Sequence, residues 1–512
     1  MEGDEQMTVV INGRNMTVGE IVRVAKDREE VAISQEAREQ MLKSHALMGE
    51  AVEDGKRVYG INTGFGKFAD TPISYDDLAK LQENLVRSHA AGVGPLFSQE
   101  EVRAAMLLRA NALARGMSGI RVELVETIVE MLNKGVTPCV PERGSVGASG
   151  DLAPLAHIAL VIIGEGQAFY KDDVMSGEEA LDRAGIKPCR LEAKEGLALT
   201  NGVQMTNGVL SLVVDEGRAL ARAADIIASL TGQVLEVIVD AYDDHILNLR
   251  PQDGAREVGG NLRTLLEGSK LSTVSGQVRV QDSYVLRCIP QVHGAVRQGL
   301  NHVAHIVEIE SGSATDNPLV LEDGRILSGG NFHGQPLAVA ADYLGICLCS
   351  LGNISERRTA RMMDSVKSGL PAFLTREGGL NSGFMLVQYT AASLVSENKV
   401  LAHPSSVDTV PTSADQEDHV SMSTIAARKA RDIARNVSYV LAAEYLSACQ
   451  GMEFLSKDAL SPAGRAAYMV LRREIPPIEE DRPLNPDLEA ARDLIVSGKL
   501  EKAVSQISGE LL

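Results

Sequence analysis

The chain has no tryptophan, and 10 tyrosines with 8 phenylalanines make aromatics only 4% of its 512 residues. Alanine and leucine are abundant in their place, which suits close packing of helix on helix. Cysteine is also sparse. Cys139, Cys189, Cys288, Cys347, Cys349 and Cys449 are scattered and form no CxxC pair, so neither a zinc ribbon nor a disulfide framework is expected. A reducing cytoplasm is the expected location. Positive charge is in deficit: 50 Lys and Arg against 69 Asp and Glu give a formal net charge of −19. That balance argues against nucleic acid and anionic membrane as partners. No apolar run makes a good membrane span, since Leu152 to Gly164 is too short and Leu337 to Ile354 contains Asp342. The first residues, Met1 to Gln6, are acidic with no apolar region behind them, so no signal peptide is expected.

What is present is an ordinary globular composition, 44% hydrophobic and 23% charged, in a chain longer than one typical domain. Met7 to Val18 alternates weakly around Asn12-Gly13 and predicts a small hairpin. From Ser34 onward the periodicity is helical. Glu36 to Glu53 and Glu100 to Lys134 read as helices, and longer ones are expected at about 205–248, 291–311, 336–365, 383–401 and 420–454. In the last, Ile433, Val437, Val440 and Leu441 form one apolar stripe. The fold class is therefore mostly α: a long-helix bundle with a smaller mixed N-terminal region. The expected divisions are 1–200, 201–475 for the bundle, and 476–512 for a helical tail after Ile475-Pro476-Pro477.

Between the helices lie loops rich in Gly, Asn, Pro and Asp, the places where a rigid scaffold commonly carries chemistry. One reads Gly144-Ser145-Val146-Gly147-Ala148-Ser149-Gly150-Asp151. Ala-Ser-Gly can become an electrophile without outside help. Gly150 lacks a side chain, so its nitrogen can bend onto the carbonyl carbon of Ala148. Closure with loss of two waters gives a methylidene-imidazolone whose electron-poor carbon is the Ser149 β-carbon. The same residues also suit a plain turn that opens a helix.

The surrounding loops decide between these readings. Val58 to Gly66, Gly144 to Pro154, Gln281 to Cys288, Thr315 to Pro318, Gly329 to Gly334 and Gln416 to Val420 occur in order. Together they closely resemble the aromatic amino acid ammonia-lyases, those acting on histidine most of all, over about residues 8–480. The resemblance implies a mostly helical fold and an autocatalytic 4-methylidene-imidazol-5-one from Ala148-Ser149-Gly150, with no external cofactor and no metal. It implies a homotetramer whose active sites take residues from several subunits, and elimination of ammonia from an amino acid substrate, L-histidine to trans-urocanate.

By the same resemblance Tyr59 is the catalytic tyrosine and Tyr284 a second one; a free phenol titrates near ~10 and needs its pKa depressed to act as a base. Asn201 and the Gly202 backbone supply donors to the imidazolone. Arg287 grips the substrate carboxylate, as a planar guanidinium can through two bonds. Gln281, Phe332 and Gln416 match substrate-binding positions. His89, in Ser88-His89, and Glu417 match residues that meet a substrate imidazole. Asp151 either assists ring closure or is a first-turn carboxylate favoured by the helix dipole. His302 and His305, at i and i+3, read as ordinary helix residues.

Three positions depart from the family pattern: Asp415 and Gly312 stand where Asn is usual, and the small residues after Gln204 are changed. They leave open a modified histidine or another aromatic amino acid as substrate, and an aminomutase outcome. A non-catalytic scaffold would have lost the cyclising residues, which are all present.

Overall fold

The computed structural model describes residues 8–53, 61, 63–64 and 71–512. It divides into two units. The first comprises Met1–Asp215, Val303–Asp342 and Pro404–Arg428; the second comprises Glu216–His302, Tyr343–His403 and Lys429–Leu512. The fold is mostly α, as the periodicity predicts. Helices Gln35–Glu53, Ile289–Ser311, Gln335–Met363, Met385–Leu401 and Ser423–Gly451 stand where long helical patterns were read. The helix expected at 205–248 instead ends at Val234, before Glu236 takes a left-handed φ of +52°, and the rest is a turn at Val239–Tyr242 and a short helix, Asp244–Asn248. Ile433, Val437, Val440 and Leu441 are all buried in the second unit.

Two further expectations are corrected. Met7 to Val18 is not a hairpin. Val9–Ile11 pairs in parallel with Val31–Ile33, and the chain between them turns through Gly13 and enters helix Val18–Ala25. Thr17 is the physical reason. Its hydroxyl accepts the Glu20 amide while the Glu20 carboxylate accepts the Thr17 amide, a capping box that starts a helix where a returning strand was expected. The Gly13 amide is taken by Asn111 Oδ1, 3.0 Å away. The second correction concerns Glu100 to Lys134, which is two helices, Gln99–Ala114 and Val122–Lys134, broken where Gly116 and Gly119 stand.

The first unit holds the described strands, all short: besides the parallel pair above, Val93–Leu96 with Pro141–Arg143, Val136–Pro138 with Gln167–Tyr170 and Asp173–Ser176, and Leu319–Val320 with Ile326–Leu327, these three sets antiparallel. Helix Gln99–Ala114 runs through its core and is buried on every side from Glu101 to Ala114. Its two arginines are satisfied in different ways. Arg103 donates to the Val24 and Leu132 carbonyls, stitching neighbouring segments together. Arg109 reaches the Asn201 carbonyl at 2.7 Å. Helix Gln335–Met363 is apolar and long enough to cross a membrane, but 67% of its apolar window is buried in protein. Asp342 on it accepts the Ser406 amide at 2.7 Å. Core burial explains this composition.

In the second unit a fully buried set of charges ties helices together. Glu444 accepts two bonds from Arg358, at 2.6 and 2.9 Å, and one from Thr231. Asp225 accepts from His293, Arg297 and Asn261. Every carboxylate oxygen has a donor, the condition under which buried ions are tolerated.

Replacing Thr17 by Ala removes the capping box and should lower stability by about 1 kcal/mol. Thermal melting checks it; an unchanged melting temperature would mean that the cap does not define this entry.

Candidate active site

The loop at 144–151 is held by contacts that admit little else. Gly147 and Gly150 both lie in the left-handed region, at φ +69° and +82°. A Cβ on Gly147 would strike the Ser421 hydroxyl, and one on Gly150 would strike the Gly202 carbonyl. Ser145 Oγ accepts the Gly147 amide at 3.1 Å and donates to the Gly150 carbonyl at 3.3 Å, closing the loop on itself. Met422 N donates to the Val146 carbonyl, and Ala148 packs with Val420 and Met422.

From the other side the Asn201-Gly202 turn clamps the same loop. Asn201 Nδ2 donates to the Ser149 carbonyl at 2.7 Å, and the Asp151 amide donates to the Gly202 carbonyl at 2.6 Å. These contacts fit a ring built from residues 148–150. The donor that a developing negative charge needs is present, and a side chain at Gly150 is excluded.

Asp151 begins helix Leu152–Ile162, yet its carboxylate caps nothing there. It accepts instead from the Thr206 amide and hydroxyl and the Thr424 hydroxyl, each at 2.7 Å. Burial raises its pKa above the usual carboxylate range, and these donors offset only part of that rise. Thr206 is one of the changed residues after Gln204, so that departure supplies the hydroxyl bond, while the amide bond belongs to the backbone.

The Ser149 hydroxyl donates to Glu417 Oε1 at 2.7 Å, and the Thr412 hydroxyl donates to Oε2 at 2.9 Å. The backbones of Thr412 and Glu417 pair in both directions. Between them Ser413, Ala414 and Asp415 all have positive φ, from 53° to 64°. Each such residue costs about 1–2 kcal/mol, and a run of three non-glycines is unusual. The two pairings and the grip on Glu417 keep this turn in place.

A cavity of about 600 Å³ opens in front of Ser149. His89, Ala148, Ser149, Asn201, Phe332, Gln416 and Glu417 all line it. His89 is the last residue of helix Leu78–His89, and Ser88 Oγ lies 3.1 Å from its Nδ1. Burial lowers its pKa; the Leu85 backbone and Glu417 act in the opposite direction.

Gln281, Tyr284 and Arg287 belong to the second unit, where they form a cluster of their own. Arg287 Nη1 donates to Gln281 Oε1 at 2.6 Å and its guanidinium stacks over the Tyr284 ring at 4.7 Å. Asp282 anchors this segment by accepting from the Ile238 amide and Arg279. Tyr59 lies outside the described residues. His302 packs edge-on against Tyr343.

Sequence reading missed several residues of the cavity. Asn317 accepts the Gly329 amide at 2.8 Å and so fixes the loop that carries Phe332. His333 and His419 stack face to face, 5.7 Å apart, on the cavity wall. Both stand in quoted motifs, but an imidazole pair assembled across 86 positions leaves no local signal. Gly312 packs against the Arg14-Asn15 backbone with no room for a Cβ, and it is not on the cavity wall. Asp415 is exposed on the strained turn.

The family profile described as aromatic amino acid lyase matches residues 16–473. The chain belongs to that family. It is a carbon–nitrogen lyase. A histidine ammonia-lyase of Caldanaerobacter subterraneus subsp. tengcongensis is 51% identical over 499 residues, 97% of this chain and 98% of that one. Among solved structures, histidine ammonia-lyase from Trypanosoma cruzi superposes with a TM-score of 0.91 at 40% identity, covering 98% of this chain and 95% of that one. Tyrosine aminomutase from Streptomyces globisporus does so at 0.94 and 37% identity, covering 98% and 99%.

Two outcomes follow from the geometry. Gly147→Ala should destabilise the protein by about 1–3 kcal/mol through overpacking, and Ser421→Ala in the same chain should recover part of the loss. Equal melting of the single and double variants would show that the clash is absent. Separately, the unfolded chain takes up a proton at His89 more readily than the folded protein does. Stability from this position is full above the ordinary value of 6.5 and lost as the pH falls toward the lower folded value. Melting temperatures between about pH 7.5 and about pH 5.5 should therefore fall less steeply in His89→Gln than in the wild type. Parallel slopes would remove His89 from the acid limb.

Proposed function

We propose that the protein eliminates ammonia from L-histidine to give trans-urocanate, using a 4-methylidene-imidazol-5-one made from Ala148-Ser149-Gly150. One observation carries the reading: the Ser149 hydroxyl meets the Glu417 carboxylate in a cavity that His89 also lines. A carboxylate and an imidazole on one wall suit a substrate imidazole, which offers an N–H and titrates near pH ~6.5.

The histidine β-proton is barely acidic and its amine leaves carbon poorly. The ring, once formed, supplies an electron-poor carbon toward the substrate amine, and the chain's own residues do the rest. Asn201 holds the Ser149 carbonyl oxygen, and the Gly202 carbonyl holds the Asp151 amide behind it. Tyr59 takes the β-proton, with Tyr284 as the second active-site tyrosine. Arg287 binds the substrate carboxylate with Gln281 beside it. His89 and Glu417 orient the imidazole, while Phe332 and Gln416 cover the substrate. Asp151, hydrogen-bonded by Thr206 and Thr424, assists the proton transfers of ring closure. The assembly is a homotetramer with shared active sites, working in the cytoplasm.

Purified protein with L-histidine should produce the ultraviolet absorbance of urocanate with equal ammonia. A β-amino acid in place of free ammonia would identify an aminomutase, and no turnover would overturn the substrate. The tryptic peptide Gly144–Lys171 should be lighter than its sequence by two waters, and an unmodified mass would remove the electrophile. Ser149→Ala should abolish turnover without loss of fold. Glu417→Gln should cost about 10²–10⁴ in kcat, whereas Asp415→Asn should leave turnover close to wild type.

A further inference from the structure

Helix Gln99–Ala114 buries two arginines, both 1% exposed. Six positions apart, they do different work. Arg103 donates to carbonyls of flanking helices. Arg109 faces the turn that clamps the Ala-Ser-Gly loop: its Nη1 donates to the Asn201 carbonyl at 2.7 Å and to Gln204 Oε1 at 2.8 Å. Gln204 is held in turn by donating to Thr315 Oγ1 at 2.7 Å. Nη1 also stands so close to Gly202 that any Cβ there would strike it. Arg109 Nε and Nη2 have no hydrogen-bond partner among the described residues. A buried cation so incompletely paired is costly to keep, and structural stitching of the Arg103 kind does not explain it.

We infer that Arg109 is a positioning residue for formation of the electrophile: it backs the Asn201-Gly202 turn so that Asn201 and Gly202 press residues 149–151 into the bend that ring closure requires. The bonds run in series. Arg109 fixes the Asn201 carbonyl, the Asn201 side chain holds the Ser149 carbonyl, and the Gly202 carbonyl accepts the Asp151 amide. Ring closure joins the Gly150 nitrogen to the Ala148 carbonyl carbon, and two waters leave, one from the ring and one from Ser149. Arg109 touches none of these atoms. Its effect passes through the turn, and it decides how much of the time the loop is bent for closure. The inference rests on the cyclisation proposed above.

The test compares Arg109→Gln with Arg103→Gln in the full-length protein. Three quantities are measured: the melting temperature, the mass of the Gly144–Lys171 peptide, and the cyclised fraction with time after synthesis. Both variants should melt below wild type. Only Arg109→Gln should retain peptide at its unmodified mass, with cyclisation slowed about tenfold or more, the loss expected for a charged hydrogen bond. Arg109→Lys keeps the charge but not the fork, so it should cyclise at an intermediate rate; it carries the comparison should the glutamine variant fail to fold. Full two-water loss at the wild-type rate in a folded Arg109 variant overturns the inference. So does equal retardation in Arg103→Gln, which would make the effect one of general stability. A wild-type peptide of unmodified mass is a different result: it removes the cyclisation itself.

Discussion

The approach of the backbone at Gly150 to the backbone at Gly202 is the constraint on which the site rests. Two chain segments about fifty residues apart meet there with no side chain between them, and the Asp151 amide completes the contact. This closeness explains a set of otherwise unrelated choices. Glycine is needed at 150 for both its φ and its space, and glycine at 202 leaves room for the Arg109 guanidinium. Asn201 can then reach the Ser149 carbonyl over a single side chain's length. A substitution at either glycine would separate the loop from its donor before it changed any reacting group.

Around that contact the protein buries charge without forming simple pairs. The Asp151 carboxyl is met by three hydroxyl and amide donors, with no cation against its oxygens among the described residues. Arg109 has carbonyl and amide oxygens as acceptors rather than a carboxylate. The second unit treats its charges differently. Arg358 and Glu444 face each other fork to fork, the geometry that best repays desolvation. One arrangement holds helices; the other keeps dipoles aimed at a short loop, and it resembles the preorganised polar surroundings that favour reactions in dry sites.

Much of this was legible in the chain. Long apolar periodicities located the helices because burial of one face is a local, repeating signal, as at Ile433 to Leu441. The Ala148-Ser149-Gly150 run and the loop motifs placed His89, Asn201, Phe332, Gln416 and Glu417 at one cavity, by resemblance more than by spacing. The hairpin at Asn12-Gly13 was misread because the turn signal was weighed and the Thr17–Glu20 box after it was not. The supporting residues were silent for another reason. Arg109 sits in an Ala- and Leu-rich helix like any tolerated charge, and only its distant partners Asn201 and Gln204 distinguish it from Arg103. Glu417 was recognised, but the left-handed run at Ser413 to Asp415 that presents it was not, since nothing in those residue types announces positive φ.

The bond from Ser149 to Glu417 joins residues 268 positions apart. The loop is also fastened to Thr206, Ser421 and Thr424, so its walls come from early and late parts of the chain. Contacts of such long range form late, after the intervening chain has been made and ordered. The reactive tripeptide thus emerges from the ribosome as plain backbone, without its clamps, and gains them only when the fold is complete. If the proposed cyclisation follows, two waters of mass missing from one peptide would be a permanent record, carried by each molecule, that it once folded correctly.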